Sequence, residues 1–340
     1  MGGAREEKYS TSLLFKLKCF YHKTYKTIIN KQSWSKKGGR VSLSKEMNKL
    51  SAKQIENNKL KYFLWPAILI PIFMGIIPFF TGLGLSFTSW RLAFRNIQFI
   101  GIQNYMTMFQ NPDFWSAIRV TVIFSGLALF FEMLFGFLIG WLLSINLKGQ
   151  SFFRSVILVP LMVAPVLSAL MWKLMLPQHG VINYLLSFLG IEGVSWLANP
   201  STALYSVVFV DCYIYIPFVA IIILAGFQSL PKEPYEAAAV DGAGKLFVFR
   251  RITLPLLTPL ILLAFIFRFI LSLKTFDILY ATTGGGPGNV TTNLHLFAYL
   301  NTFKYGRGAI STSAVLLLFL FIFFVSKYLI VRWTKSTQYQ

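Results

Sequence analysis

The sequence predicts an all-α integral membrane protein with six transmembrane helices and both termini in the cytoplasm. Three observations predict it. The first is composition: only 13% of the 340 residues are charged, 55% are hydrophobic and the mean hydropathy is +0.60. Soluble domains carry roughly 25% charged residues. The second is the set of apolar runs. Six runs reach the roughly twenty residues needed to cross about 30 Å of hydrocarbon, over 63–88, 118–145, 153–174, 203–226, 255–280 and 309–331. The third is where the cations fall. With the N-terminus inside, the inner segments hold 24 Lys and Arg and the outer segments hold 5, as the positive-inside rule requires.

The chain begins with a tail, residues 1–61. Residues 1–62 contain 15 of the 32 Lys and Arg against 4 acids. The formal charge of +20 would suggest nucleic acid in a soluble protein. Concentrated in a cytoplasmic tail it needs no nucleic acid. From Leu13 to Ile29, apolar residues alternate with Lys16, Lys18, Lys23 and Lys26, a pattern that fits a basic amphipathic helix on an anionic membrane face. A disordered, solvated tail is the alternative. Residues 30–60 read as a polar linker. Cys19 and Cys212 imply no disulfide framework, and with three scattered His they make no metal cluster. The first apolar run lacks a cleavage site and reads as a retained span.

The body, 62–335, holds the six spans, and 336–340 is a short C-terminal tail. The outer loops 89–117 and 175–202 are rich in aromatics such as Trp90, Trp115 and Trp196. Interfacial belts explain these by default, and a docking surface for an external protein is the sharper reading. In the third outer loop, Gly284-Gly285-Gly286-Pro287-Gly288 cannot continue a helix, so the chain turns or re-enters there.

Ionisable residues inside spans are costly and normally face a bundle interior or a cavity. They are Glu132, Lys173, Asp211, Arg268, Lys274 and Asp277. Arg268, Leu271, Ser272 and Thr275 fall on one helical face, Asp211, Tyr215 and Phe218 share another, and Lys274 can pair with Asp277. A polar, aromatic-lined passage between spans 4 and 5 suits a hydroxylated solute. The structural alternative is ion pairing within the bundle, for instance Asp211 with Arg268; Glu132 and Lys173 fit that reading better. No nucleophile elbow, zinc-protease motif or phosphate-binding loop occurs in the sequence. A proton- or ion-coupled secondary transporter using Glu132, Asp211 and Arg268 is the rival reading, although spans 1–3 and 4–6 show no convincing repeat.

One polar island breaks the apolar pattern, over 230–255. It reads Glu236-Ala237-Ala238, then Gly242, then Ile252, Leu254 and Pro255. Pro231 or Pro234 can start a short helix, alanines favour it, and Gly242 allows a sharp turn into a second helix. This spacing resembles the EAA loop of permease subunits of binding-protein-dependent ABC importers. Other segments resemble the sugar-importing, maltose-permease branch: Leu85 to Trp90, Ile100-Gly101 with Asn104-Tyr105, Phe152-Phe153-Arg154, and Phe276-Asp277 with Tyr280 and Gly285-Gly286-Pro287. The resemblance covers roughly 62–335. It implies a type I importer permease fold, multi-pass in a bacterial cell membrane. It also implies a second permease, two cytosolic ATPases that use ATP and Mg, an extracytoplasmic binding protein and a carbohydrate cargo, with no cofactor or catalytic site on this chain. By the same resemblance, Glu236, Ala237, Ala238, Asp241 and Gly242 couple to the ATPase. The substrate positions fall near Tyr215, Phe218, Arg268, Leu271, Ser272 and Thr275. The maltose branch has neutral groups where this chain has Arg268, which leaves room for an acidic sugar.

Overall fold

A computed structural model describes residues 65, 67–92, 97–145 and 149–338, and side chains through 334. The tail with its amphipathic segment, the cations Arg95 and Lys148 and the last two residues of the expected C-terminal tail lie outside the described residues. The chain divides into two compact units, 1–77 and 78–340. Of the first unit, residue 65 and 67–77 are described, and Ile70, Phe73 and Met74 there are exposed.

Among the described residues the regular elements are helices, beside one isolated antiparallel bridge between Thr88 and Phe99. Helix α1 is Ala67–Ser86. It is followed by α2 Gln103–Gln110, α3 Pro112–Leu142, α4 Gln150–Met162, α5 Pro165–Met175, α6 Val181–Ser187 and α7 Ala203–Gln228. Then come α8 Glu233–Val240, α9 Lys245–Val248, a π-helical turn Phe249–Thr253, α10 Leu254–Leu273, α11 Asp277–Thr282, α12 Leu294–Phe303 and α13 Gly308–Gln338. Among the described residues five helical segments are long and apolar enough to span a bilayer: Ala67–Ser86, Pro112–Leu142, Ala203–Gln228, Lys245–Leu273 and Gly308–Thr334. The pair α4 and α5 makes a sixth if counted as one span, bent by 93°. Pro165 explains the bend. It occupies the first turn of α5, where its missing N–H is tolerated, and it holds Ala164 extended at ψ 134°. The run 153–174 is therefore a broken span.

Helices α3 and α7 pack face to face at the centre. Gly136 and Gly140 lie one turn apart on α3 and make this approach possible. A Cβ on Gly136 would sit 2.5 Å from Val219 Cβ, and one on Gly140 would sit 2.7 Å from the Ala220 carbonyl oxygen. Small residues spaced by four let helix backbones meet closely where burial in lipid supplies no hydrophobic drive. Phe124, Ala128, Ala169, Val207, Val210 and Ile214 fill the core beside this contact. Outward-facing Phe130, Leu134, Leu138, Phe321 and Phe324 are exposed, as lipid-facing side chains should be.

Span 5 is shorter than the apolar run. Helix α10 ends at Leu273, Lys274 and Thr275 close its last turn, and α11 starts at Asp277. Thr275 is thus outside the helix that carries Arg268. The expected Lys274–Asp277 ion pair does not form, because the helix stops between the two residues; among the described residues the only ion pairs involve Arg268. The chain turns where the glycines demanded it. Gly284, Gly285 and Gly288 adopt φ of 61°, 96° and 58°, in the left-handed region that favours glycine. Asn293 then caps α12 by accepting from Leu296 N at 2.9 Å, and its amide donates to the Thr275 carbonyl at 2.5 Å, which ties α12 to the C-terminal end of α10. Helix α13 continues through Gln338, beyond the point where the sequence suggested a tail.

The aromatic loops 89–117 and 175–202 are partly internal scaffolding. Phe114 is buried, Trp196 Nε1 donates to Asn183 at 2.9 Å, and the Trp90 ring covers Gly308. Trp115 remains exposed at the surface.

Candidate functional site

The polar island folds into the short, largely exposed helix α8, followed by α9 and the π-helical turn. Helix α8 begins with Pro234 in its first turn and carries Glu233 and Glu236 there, where carboxylates complement the helix dipole. Its end is a Schellman closure. Gly242 N donates to the Ala239 carbonyl at 3.2 Å and Ala243 N donates to the Ala238 carbonyl at 2.9 Å. Gly242 has φ +67°, so this closure depends on glycine even though the space around it is open. Of the five predicted coupling residues, Ala238 is buried, while Glu236, Ala237, Asp241 and Gly242 are exposed and close together.

Clefts flank the helix on two sides. One, of about 1030 Å³, is bounded by Trp141, Phe227, Tyr235, Glu236 and Phe249. The other, of about 530 Å³, is bounded by Ala237, Asp241, Phe247 and Ile252. Val240, Leu246 and Phe247 are 88%, 65% and 56% exposed. These three apolar residues were missed by sequence reasoning. Their signal was their position: apolar side chains inside a polar connection that builds no core. Among the described residues one side-chain hydrogen bond braces the helix to the bundle, from Tyr235 Oη to Thr253 Oγ1 at 3.0 Å. Thr253 is the last residue of the π-helical turn that leads into α10, and such turns recur at functional sites in helices.

The second polar site lies inside the bundle and is closed. Arg268 on α10 donates Nε to Glu132 on α3 at 2.6 Å and Nη2 to both Glu132, at 2.5 Å, and Asp211 on α7, at 2.9 Å. All three side chains have no exposed surface. The guanidinium carbon lies 3.9 Å from the centre of the Tyr215 ring, a cation–π distance. The structure thereby corrects the expectation that Arg268 lines a passage. It is the centre of a three-helix ion cluster, with Glu132 a full partner beside Asp211. Ser272 and Thr275 are also buried, and their hydroxyls donate back to the Phe269 and Leu271 carbonyls at 3.2 Å. Of the predicted substrate positions, Tyr215 and Phe218 are half-buried and Leu271 is exposed. Lys173 extends to the Ala281 carbonyl at 3.1 Å.

This combination, an exposed, braced helix beside a bundle with a broken third span, fits the importer permease subunit that the loop resembles. The chain belongs to the family described as the binding-protein-dependent transport system inner membrane component, which matches residues 132–335. Among its relatives is a probable ABC transporter permease protein of Sinorhizobium fredii, 40% identical over 255 residues, covering 74% of this chain and 82% of that protein. The trehalose/maltose transport system permease protein MalF of Thermococcus litoralis is 37% identical over 270 residues, covering 75% and 91%. Among solved structures, a chain of a bacterial ABC transporter involved in import of the acidic polysaccharide alginate superposes with a TM-score of 0.72 and 25% identity, over 83% of this chain and 98% of that one. Membership places the chain in an inner membrane and gives no support to the ion-coupled alternative. The acids and arginine that a relay would have used are paired with one another within the bundle.

Proposed function

We propose that this chain is one pore-forming half of an ATP-driven importer that carries a carbohydrate into the cytoplasm. The observation that carries the proposal is α8 itself: a largely exposed helix with a glycine-dependent closure, flanked by clefts and pinned by one side-chain hydrogen bond to the π-helical turn that leads into α10. A helix held this way is suited to seat in a partner and pass its motion inward. The cargo class rests on relatives named for trehalose and maltose, for sulfoquinovosyl glycerol and for multiple sugars.

In this reading a second permease completes the pore and two cytosolic ATPases bind below, consuming ATP with Mg. This chain binds no cofactor and has no catalytic site of its own. Both termini face the cytoplasm, and an extracytoplasmic binding protein delivers the sugar from outside. Glu236 and Asp241 supply charge to a basic partner surface, Ala237 and Ala238 keep the helix narrow, and Gly242 sets its end. Closure of the ATPases moves α8. Tyr235 transmits that movement to Thr253, and the π-helical turn passes it to α10. Tyr215, Phe218 and Leu271 face the sugar path, while Arg268, Ser272 and Thr275 hold the wall behind them. Because Arg268 is buried and paired with Glu132 and Asp211, its charge is no argument for an acidic cargo.

The test is reconstitution. The complete complex in proteoliposomes, supplied with its binding protein, should accumulate one of maltose, trehalose or an alginate trisaccharide only when ATP is hydrolysed. Copurification without a second permease or ATPase, or uptake driven by an ion gradient without ATP, would refute the proposal.

A further inference from the structure

Just past the end of α10 the structure builds an aromatic ladder; Phe276 and Tyr299 pack against the core, while the exposed rings of Tyr280 and Phe303 serve neither the core nor the coupling helix. Phe276 and Tyr280 stack at 5.3 Å with ring planes 15° apart. Phe276 meets Tyr299 at 4.8 Å, Tyr280 meets Tyr299 at 5.1 Å, and Tyr299 meets Phe303 at 4.9 Å. His295 closes the series, 5.9 Å from Phe276. The last three, His295, Tyr299 and Phe303, sit one turn apart on α12 and share one face. Helix α12 gives its opposite face, with Phe297, Ala298 and Asn301, to the core. The ladder face is left open: Tyr280 is 46% and Phe303 is 64% exposed.

We propose that this ladder is an outer subsite for an oligosaccharide that presents the C–H faces of pyranose rings. The inference rests on the carbohydrate reading above and adds where the sugar is received. Three features favour a sugar over lipid. Aromatic faces of this kind bind the positive C–H surface of a sugar ring. Polar groups surround the ladder, as a hydroxylated ligand needs. Two tyrosine hydroxyls lie within it, Lys274 is exposed with its carbonyl 2.9 Å from His295 Nδ1, Lys173 reaches Ala281 beside Tyr280, and Asp277 opens α11. The third feature is continuity. The Asn293–Thr275 bond fixes α12 to the end of α10, so the ladder is rigidly joined to the helix that leads inward.

The experiment uses the complete complex in proteoliposomes with its binding protein and whichever of maltose, trehalose or an alginate trisaccharide the wild type takes up. Tyr280→Leu and Tyr299→Leu remove stacking, while Tyr280→Phe and Tyr299→Phe keep it. Sugar moved per ATP hydrolysed should fall about tenfold in each leucine variant, and the phenylalanine variants should stay within about threefold of wild type. Affinity for the binding protein and recovery of the second permease should not change. Leucine variants that move sugar as the wild type does would overturn the inference and leave the importer reading standing. Weakened binding-protein affinity would make the ladder a protein-docking surface, and loss of the second permease would make it an assembly contact; either overturns the sugar subsite. A wild-type complex that takes up none of the three sugars under ATP hydrolysis overturns the carbohydrate reading and this inference together.

Discussion

Two polar regions of this protein answer the same problem in opposite ways. The Glu132–Asp211–Arg268 cluster brings three charges together and closes them off completely. Helix α8 holds Glu233, Glu236 and Asp241 in the open, each without an ion pair among the described residues. In the cluster the charges pair within this chain, with Asp211 Oδ1 and Arg268 Nη1 left without a hydrogen-bond partner, and its work is to hold three helices in register. On α8 the charges have no internal partner, so they are available to another molecule. Closure marks the scaffold and exposure marks the working surface.

The sharpest way to break the comparison is to unbalance the closed region. Arg268→Met leaves two buried carboxylates uncompensated, and the thermal unfolding of the purified protein should show a loss of about 3–5 kcal/mol. Replacing all three charges, as Glu132→Gln, Asp211→Asn and Arg268→Met together, should recover most of that loss; a triple variant as unstable as the single one would contradict the account. Next in size is Gly140→Leu, which drives a side chain into the Ala220 backbone and Ile223. Overpacking there should cost about 1–3 kcal/mol in the same melt, and an unshifted melting point would show that the α3–α7 contact is looser than described.

On the exposed region the expected effects move from stability to function. Glu236→Lys should change stability by less than about 0.5 kcal/mol. Measured in proteoliposomes, sugar moved per ATP should nonetheless drop severalfold, and an unaltered ratio would remove Glu236 from the coupling surface. The smallest effect belongs to Tyr235→Phe, which deletes only the bond to Thr253, worth about 1 kcal/mol. It should slow transport modestly while Thr253→Ser, which keeps an acceptor, remains near wild type. Equal effects from both variants would show that the bond transmits nothing.

Much of this was legible in the sequence. The spans follow from apolar length, and the α8 closure follows from alanines before Gly242. The turn at 284–288 follows from its glycines. The partners inside the bundle were harder to read. Helices α3 and α7 are apolar on nearly every side, so periodicity does not say which faces meet, and Glu132 had no visible reason to face Arg268. The sequence did contain a clue in Gly136 and Gly140, whose spacing of four marks a close helix contact. The stop at Leu273 and the π-helical turn depend on backbone bonding that no apolar pattern encodes. Arg268 was misplaced for the same reason: its face on α10 was readable, but whether that face met a cavity or two acids was a question of tertiary packing.

The central claim is that work enters this protein through α8. Photo-crosslinking tests it most directly. A photoreactive side chain at Ala237 or at Val240, both exposed on α8, should capture the ATPase covalently in the assembled complex, with a yield that changes when ATP is added. The same group at Tyr184, exposed on α6, should capture none. An assembled, transporting complex that yields no ATPase adduct from either α8 position would contradict the account.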